Sequence, residues 1–281
     1  MARTVVVGIE GTDSSRDALT WAVAAAASRK DSLEIVYAIG VPYADMNLLY
    51  DDAIEQDAQS LLHDERERAL SAEPDLTVTT TLSRETPGKA LTEASERAAL
   101  VVVGSHPYGV LERVFSGSLA YQVAAGSHCP VLIVPQETGA GGSGVVVGAD
   151  GSPDSVAAVA LAATEADRLG QELTVVHAWR SPDMFLSGDT GRGYRDERVE
   201  EGEGVVLAES VAGLGERYPD LVVHQLLAQS QPAQALLDAA KGARLLVVGS
   251  RGLGGVARML LGSVSHTLVL HPPCPVLVMR T

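Results

Sequence analysis

Residues 245–265 read LLVVGSRGLGGVARMLLGSVS. The apolar residues at the start are typical of a strand that is buried on both faces, as in a parallel sheet covered by helices. Gly249 and Gly252 permit a tight turn and a close approach of the backbone to a ligand. Gly262 and Ser263 then favour the start of a helix. Strand, glycine-rich loop and helix in this order predict an α/β fold.

The same plan occurs in the first half of the chain. Three pairs of segments match in order and in spacing: 5–12 with 145–152, 100–105 with 245–250, and 129–134 with 274–279. A repeat this long indicates a duplicated domain rather than a solenoid. The sequence therefore predicts two domains in tandem, residues 1–136 and 145–281, joined by a glycine-rich linker at 137–144.

Each domain is predicted to be a doubly wound, five-stranded parallel sheet of the Rossmann-like class. In the second half, apolar runs begin near residues 145, 173, 221, 245 and 276, and helical patterns cover 154–169, 199–217, 232–240 and the segment from 263. Strands that alternate with helices in this way are typical of a doubly wound sheet. Such sheets bind ligands beyond the carboxyl ends of their strands, where the strand order reverses.

The composition excludes several classes of function. The net charge is −15 and the pI is about 4.8, so the protein repels phosphate backbones and broad nucleic-acid binding is not expected. No apolar run reaches the roughly 18 to 20 residues that cross a bilayer, and the N-terminal residues lack the apolar region of a signal peptide. We therefore expect a cytoplasmic protein with no membrane contact. Cys129 and Cys274 each precede a proline at a strand start, which favours packed side chains over redox centres.

The loop 249–265 has the chemistry of a phosphate site. The first amides of a helix lack intrahelical acceptors, and together with the helix dipole they attract an anion. The hydroxyls of Ser263 and Ser265 add donors for phosphate oxygens, and Arg251 is either a phosphate contact or a solvated loop charge. Asp150 follows the first strand of the second half, where a carboxylate suits ribose hydroxyls or an adenine edge. The alternatives are an ordinary serine-capped glycine loop and a solvated turn aspartate.

The spacing Gly249-x2-Gly252-x9-Gly262-Ser263, preceded by Asp150-Gly151-Ser152, resembles the ATP-binding pattern of the universal stress protein family. The resemblance extends twice over nearly the whole chain, as in tandem-domain members. It implies an adenine nucleotide alpha hydrolase-like sheet that holds ATP, with or without Mg²⁺, and no evident catalysis. Asp150 would face the ribose, and the backbone of Ala178 would meet the adenine. The residues assigned to the nucleotide in this way are Gly148, Asp150, Ala178, Gly249, Arg251, Gly252, Gly262, Ser263, Val264 and Ser265.

The first half departs from this pattern, so we expect its site to be weak or empty. Glu10 stands at the position of Asp150, Pro107 at that of Gly252, and Ala120 at that of Ser265. Proline has no backbone N–H to offer a phosphate. The matching positions that remain in the first half are Gly8, Ala38, Gly104, Gly117 and Ser118.

These features predict an ATP-binding universal stress protein that acts as a nucleotide-responsive regulatory or stress-adaptation module. In this interpretation, ATP orders the loop 252–261 and alters a surface that a protein partner recognises. The alternatives are a slow ATPase or ATP-dependent transferase, and a structural stress protein with residual ATP affinity. Phosphoryl transfer usually needs fixed cations and a positioned base, whereas this loop has no lysine and the histidines lack metal-ligand spacing. Neither a P-loop nor a nucleophile elbow is present. The resemblance also implies a homodimer and pairing of the two halves through the runs 130–134 and 275–279.

Overall fold

The computed structural model describes residues 3–40, 48–105, 119–136, 141–180, 197–253 and 261–280. The chain divides into two compact units: unit 1 comprises Met1–Thr138 and Arg280, and unit 2 comprises Gly139–Met279 and Thr281. Residues 137–140 of the predicted linker lie outside the described residues, and Gly144 at its end donates its amide hydrogen to Gln171 Oε1 at 2.7 Å within unit 2. In the described ranges, no helix is both long enough and apolar enough to cross a membrane.

Unit 1 contains a five-stranded parallel sheet flanked by helices. Its strands are β1 (Thr4–Ile9), β2 (Ser32–Ala38), β3 (Val78–Ser83), β4 (Leu100–Ser105) and β5 (Val131–Pro135). Its helices within the described ranges are α1 (Asp13–Arg29), α2 (Leu48–Ala72), α3 (Pro87–Ser95) and α4 (Leu119–Gly126). The strand order is β3-β2-β1-β4-β5, and every pair is parallel. The order therefore reverses between β1 and β4, as in a doubly wound sheet.

Unit 2 repeats this arrangement. Its strands are β6 (Val145–Gly148), β7 (Leu173–Trp179), β8 (Val223–Gln229), β9 (Leu245–Gly249) and β10 (Val276–Met279). Its helices within the described ranges are α5 (Pro153–Leu169), α6 (Glu197–Val211), α7 (Leu214–Arg217), α8 (Pro232–Ala239) and α9 (Ser263–Leu270). The order is β8-β7-β6-β9-β10, again with parallel pairs. The predicted fold class, two doubly wound parallel sheets in tandem, is confirmed.

The central strands are apolar because helices cover both faces of each sheet. Val5, Val6 and Val7 follow one another in β1 and are all fully buried, and the same holds for Leu246 and Val247 in β9. A sheet with one solvated face would show alternating burial instead. The strand β8, at the edge of the unit 2 sheet, is exposed or half-buried along its length.

One predicted helix is in fact two. The pattern over 199–217 predicts a single helix, whereas α6 ends at Val211 and α7 begins at Leu214. Gly213 lies between them with a φ of 77°, in the left-handed region that glycine adopts readily and through which an α-helix does not continue. The next strand accordingly begins at Val223, two residues after the expected start.

The turn after β6 places Asp150 at the carboxyl edge of the sheet. Ser152 caps α5, because its Oγ accepts a hydrogen bond from the amide of Ser155 at 3.2 Å. Gly151, with a φ of 78°, provides the sharp change of direction between strand and helix. Asp150 is thereby held above the end of β6, facing the loop that follows β9.

Candidate nucleotide site

A cavity of about 520 Å³ lies in unit 2 at the carboxyl ends of β6, β7 and β9. Small-molecule sites commonly have volumes of about 300 to 1,000 Å³. The ten second-half residues that the motif assigns to a nucleotide all line this cavity: Gly148, Asp150, Ala178, Gly249, Arg251, Gly252, Gly262, Ser263, Val264 and Ser265. The fold thus brings together residues that the sequence spreads over more than a hundred positions.

The amino end of α9 forms one wall of the cavity. Gly262 has extended backbone angles at the N-cap, and its carbonyl accepts the first helical bond from the amide of His266 at 2.8 Å. The amides of Ser263, Val264 and Ser265 therefore belong to the first turn, where no intrahelical acceptor exists. Helix amides and the helix dipole together favour an anion at this wall.

The hydroxyl of Ser265 is engaged by main-chain oxygens of the protein. It is buried and donates its hydrogen to the carbonyl oxygen of Ser250 at 2.9 Å, close to a second acceptor at Gly262 O, 3.0 Å away. The amide of Gly262 donates to the same Ser250 carbonyl at 2.8 Å. The Ser265 hydroxyl and the Gly262 amide thus join the two ends of the 250–262 loop at one carbonyl oxygen, and a contact between Ser265 and a phosphate stays a prediction.

Asp150 lines the cavity and also holds the loop that follows β9. Its Oδ1 accepts a hydrogen bond from the amide of Ser152 at 3.0 Å, and its Oδ2 accepts one from the amide of Leu253 at 3.0 Å. Burial by itself raises the pKa of Asp150, but the hydrogen bonds from Ser152, Leu253 and Ser155 outweigh burial and lower the pKa below its ordinary value. Asp150 is therefore a stable carboxylate whose bond to Leu253 joins the loop after β6 to the loop after β9.

Gly252 lies where the loop after β9 crosses the Asp150 side chain. A Cβ at Gly252 would overlap Asp150 Oδ2, so a larger residue would displace either the loop or the carboxylate. Position 148 favours glycine for another reason. A Cβ there would lie 2.9 Å from Cδ1 of Leu236, which packs over the end of β6 from α8. Gly252 therefore keeps backbone close to the cavity, whereas Gly148 permits close packing of a helix on a strand.

Sequence reasoning missed an acidic side chain that binds the same loop. Asp154, in the first turn of α5, accepts hydrogen bonds through Oδ2 from Ser250 Oγ at 3.0 Å and from the amide of Arg251 at 3.2 Å. The Arg251 Nε lies 3.4 Å from the same oxygen. The sequence places Asp154 in the first turn of a helix, where acidic residues are common, so nothing in its pattern indicated a contact 97 residues away.

A second missed contact connects α6 to the sheet. His177 Nδ1 lies 2.7 Å from the carbonyl oxygen of Ala149, and its Nε2 lies 2.6 Å from Oε2 of Glu203. A carbonyl only accepts, so Nδ1 carries a hydrogen and donates it to Ala149, while Nε2 lies within hydrogen-bonding distance of the Glu203 carboxyl group. His177 and Glu203 both line the cavity. The position of His177 next to Ala178 was the one available signal for this pair.

Within the described ranges, no group of three or more histidine, cysteine, aspartate and glutamate side chains has the arrangement that could hold a metal ion. The ionisable side chains among the lining residues are Asp150, His177, Glu203 and Arg251.

The sequence pattern of the universal stress protein family matches this chain twice, over residues 1–135 and 144–280. The chain belongs to the universal stress protein family. The two matches cover both sheets, so both units are universal stress protein domains.

Universal stress proteins of known sequence resemble the chain over its whole length. One from Mycobacterium tuberculosis is 34% identical over 294 residues, covering 98% of this chain and 96% of the relative. One from Mycolicibacterium smegmatis is 35% identical over 293 residues with the same coverage. The crystal structure of a universal stress protein from Archaeoglobus fulgidus has a TM-score of 0.68 at 19% identity and covers 99% of this chain and 96% of its own. The fold of both halves is shared with that structure.

The first universal stress protein domain is described in part at its corresponding positions. Gly8, Ala38 and Gly104 lie at the carboxyl ends of β1, β2 and β4, in the same arrangement as their second-half equivalents. Pro107, Gly117 and Ser118 lie outside the described residues. The expectation of a weak or empty first site therefore stays a prediction.

Two of the substituted first-half positions are described. Glu10 is exposed and its Oε1 accepts a hydrogen bond from the hydroxyl of Thr12 at 3.0 Å. Ala120, at the position of Ser265, is buried and has no hydroxyl that could close the loop as Ser265 does in unit 2.

The two cysteines of this universal stress protein are packed side chains, as predicted. Cys129 and Cys274 are both free and buried. Burial raises the pKa of Cys129 to about 11 and that of Cys274 to about 12, against the weaker opposing effect of a backbone hydrogen bond at each. The thiolate is the reactive form, so both thiols are inert near neutral pH.

Proposed function

We propose that unit 2 binds ATP in this cavity and that the protein acts as a nucleotide-responsive regulatory module with little or no turnover. One observation carries the proposal: the ten residues of the family's ATP-binding pattern line a single cavity of about 520 Å³. The pattern could have been met by residues scattered over the surface, and in that case it would have supported no site.

The lining fits a nucleotide in two respects. The first amides of α9 and the Arg251 side chain supply hydrogen-bond donors suited to phosphate oxygens. Apolar side chains on other walls, including Val176, Val206 and Leu236, supply the surface that an aromatic base needs. The absence of a Cβ at Gly252 leaves the backbone accessible where the loop meets Asp150.

The chemistry of the lining favours binding over turnover. A general base must be free to take a proton and needs a pKa near the working pH. Asp150 has a lowered pKa and accepts bonds from two amides. Both ring nitrogens of His177 are engaged, one of them with Glu203. These groups are poorly suited to activate water, which favours a regulatory role over the alternative of a slow ATPase or ATP-dependent transferase.

Calorimetry with a variant that adds a negative charge tests the binding site. Ser263→Asp places a carboxylate at the first position of α9, where it should stabilise the helix by about 0.3 to 1 kcal/mol. The same carboxylate would repel the phosphates, so we expect ATP affinity to fall about tenfold or more while the melting temperature holds. Gly215→Glu is the matched control, because Gly215 is exposed and an added Cβ there has no atom within 4 Å.

Two outcomes would overturn the proposal. If Ser263→Asp binds ATP with wild-type affinity, the phosphates do not bind at the amino end of α9. Sustained phosphate release at about one per second or faster, within the usual range of enzymes, and lost in Ser263→Asp, would replace the binding role by catalysis. Mass spectrometry of the nucleotide released from purified, denatured protein identifies the ligand independently.

A further inference from the structure

Three hydrogen-bond donors converge on one carboxylate oxygen beside the cavity. Asp154 Oδ2 lies 3.0 Å from Ser250 Oγ, 3.2 Å from the amide nitrogen of Arg251 and 3.4 Å from Arg251 Nε. The Asp154 side chain is 13% exposed, whereas that of Arg251 is 46% exposed. Asp154 is therefore a mostly buried anchor for a partly exposed arginine, and it lies outside the motif that defines the site.

The anchor acts through one edge of the guanidinium group. Arginine presents its donors in a rigid planar fork, so fixing Nε restricts the orientation of the whole group. The two terminal nitrogens carry the remaining donors, and Arg251 lines the cavity. A carboxylate that orients a ligand-binding side chain in this way corresponds to the partners that orient metal-binding histidines.

We propose that Asp154 is a positioning residue for the phosphate end of the site: it holds Arg251 and the start of the 250–253 segment so that the terminal guanidinium nitrogens meet the phosphates of a nucleoside di- or triphosphate. The inference rests on the proposed ATP binding by unit 2. It adds that Asp154 contributes to affinity for ligands that carry a di- or triphosphate, and that adenosine is bound without its help.

The first half of the chain contains a natural comparison. Ser14 occupies the position of Asp154, and its hydroxyl donates to the carbonyl oxygen of Ser105 at 3.3 Å. The polarity of the contact is reversed, because Asp154 accepts from the residues after β9 whereas Ser14 donates to the end of β4. A serine at this position offers no charge to hold an arginine, and the residue that corresponds to Arg251 in sequence is His106, outside the described residues.

A competing effect acts in the opposite direction. Asp154 is an anion close to where phosphates would lie, and Asp150 and Glu203 add two more carboxyl groups to the lining. If repulsion or competition for Arg251 prevailed, removing Asp154 would strengthen ATP binding. The direct contacts favour positioning, since the bonds from Arg251 to Asp154 use the Nε and the backbone amide of the arginine. Neither bond uses a terminal guanidinium nitrogen, which is the group that would meet the ligand.

A double-mutant cycle with three ligands tests the inference. Affinities for ATP, ADP and adenosine are measured by calorimetry in full-length wild type, Asp154→Ala, Arg251→Ala and the double variant. We expect Asp154→Ala to weaken ATP and ADP binding about tenfold, as for loss of a hydrogen bond to a charged group, and to leave adenosine binding unchanged. In the Arg251→Ala background, Asp154→Ala should have less than a threefold effect on ATP. Asp154→Asn, which keeps an acceptor for Ser250 and the Arg251 amide, should recover part of the loss.

Each contrary result has a distinct meaning. Equal losses of affinity for ATP and adenosine in Asp154→Ala would show that Asp154 has only a structural role. Tighter ATP binding in the same variant would show that Asp154 competes with the phosphates for Arg251. Either result overturns the inference while the proposed ATP site stands. Additive effects in the cycle would also overturn it, because coupled residues must show non-additivity. If wild type binds neither ATP nor adenosine, the proposed function fails first, and the positioning role fails with it.

Discussion

Adding one methyl group at Gly252 should separate the two loops that form the site. An ideal Cβ there overlaps Asp150 Oδ2, so Gly252→Ala should displace the carboxylate from the Leu253 amide, now 3.0 Å away. A hydrogen bond to a charged group contributes about 1.5 to 3 kcal/mol. The lower end applies here, because the bond lies at an exposed edge of the cavity. ATP would then have to order the loop without this bond, so at about 1.4 kcal/mol per factor of ten its affinity should fall roughly tenfold.

Isothermal titration with ATP measures this effect, and thermal unfolding checks that the fold is retained. Gly215→Ala is the control, since the same methyl group meets nothing within 4 Å at that position. We expect the control to bind ATP as wild type does. Wild-type affinity in Gly252→Ala would refute the reasoning, because ATP binding would then not depend on the contact between the loop and Asp150.

Three further predictions concern other parts of the molecule. The pKa of Asp150 is lowered on folding, so its stabilising contribution is present above the unfolded pKa of about 3.9 and is lost as the pH falls through the folded pKa. In Asp150→Asn, the free energy of unfolding measured in urea should therefore depend less on pH between about pH 5 and pH 3. An unchanged pH profile would contradict the shift. Calorimetry at saturating ATP should give one tight site per chain, whereas two equal sites would show that Pro107 and Ala120 are tolerated. Cys129 and Cys274 should react with a thiol reagent at pH 8 only after denaturation, and rapid reaction of the folded protein would show that they are accessible.

The sequence predicted the architecture well because the signals for it are local. Uninterrupted apolar runs such as 5–7 and 245–248 require burial on both faces, and burial on both faces requires a helix-covered parallel sheet. The repeat of these runs predicted the tandem, and the glycine and serine spacing at 249–265 predicted which residues share a cavity. The exception was the helix over 199–217, because the helical pattern continued across Gly213 and gave no indication that this glycine takes a left-handed conformation.

The sequence by itself determined which segments form strands, how many domains they build and which backbone positions line the cavity, since these follow from burial, periodicity and the special geometry of glycine. Only the tertiary structure decided what the polar side chains do. It assigned the Ser265 hydroxyl to Ser250 O, the Asp154 carboxylate to Arg251, and His177 to Glu203. These partners are 15 to 97 residues apart in the chain. A hydrogen bond depends on tenths of an ångström and on direction, and those are set by how helices and strands pack against one another rather than by any pattern that a single segment carries.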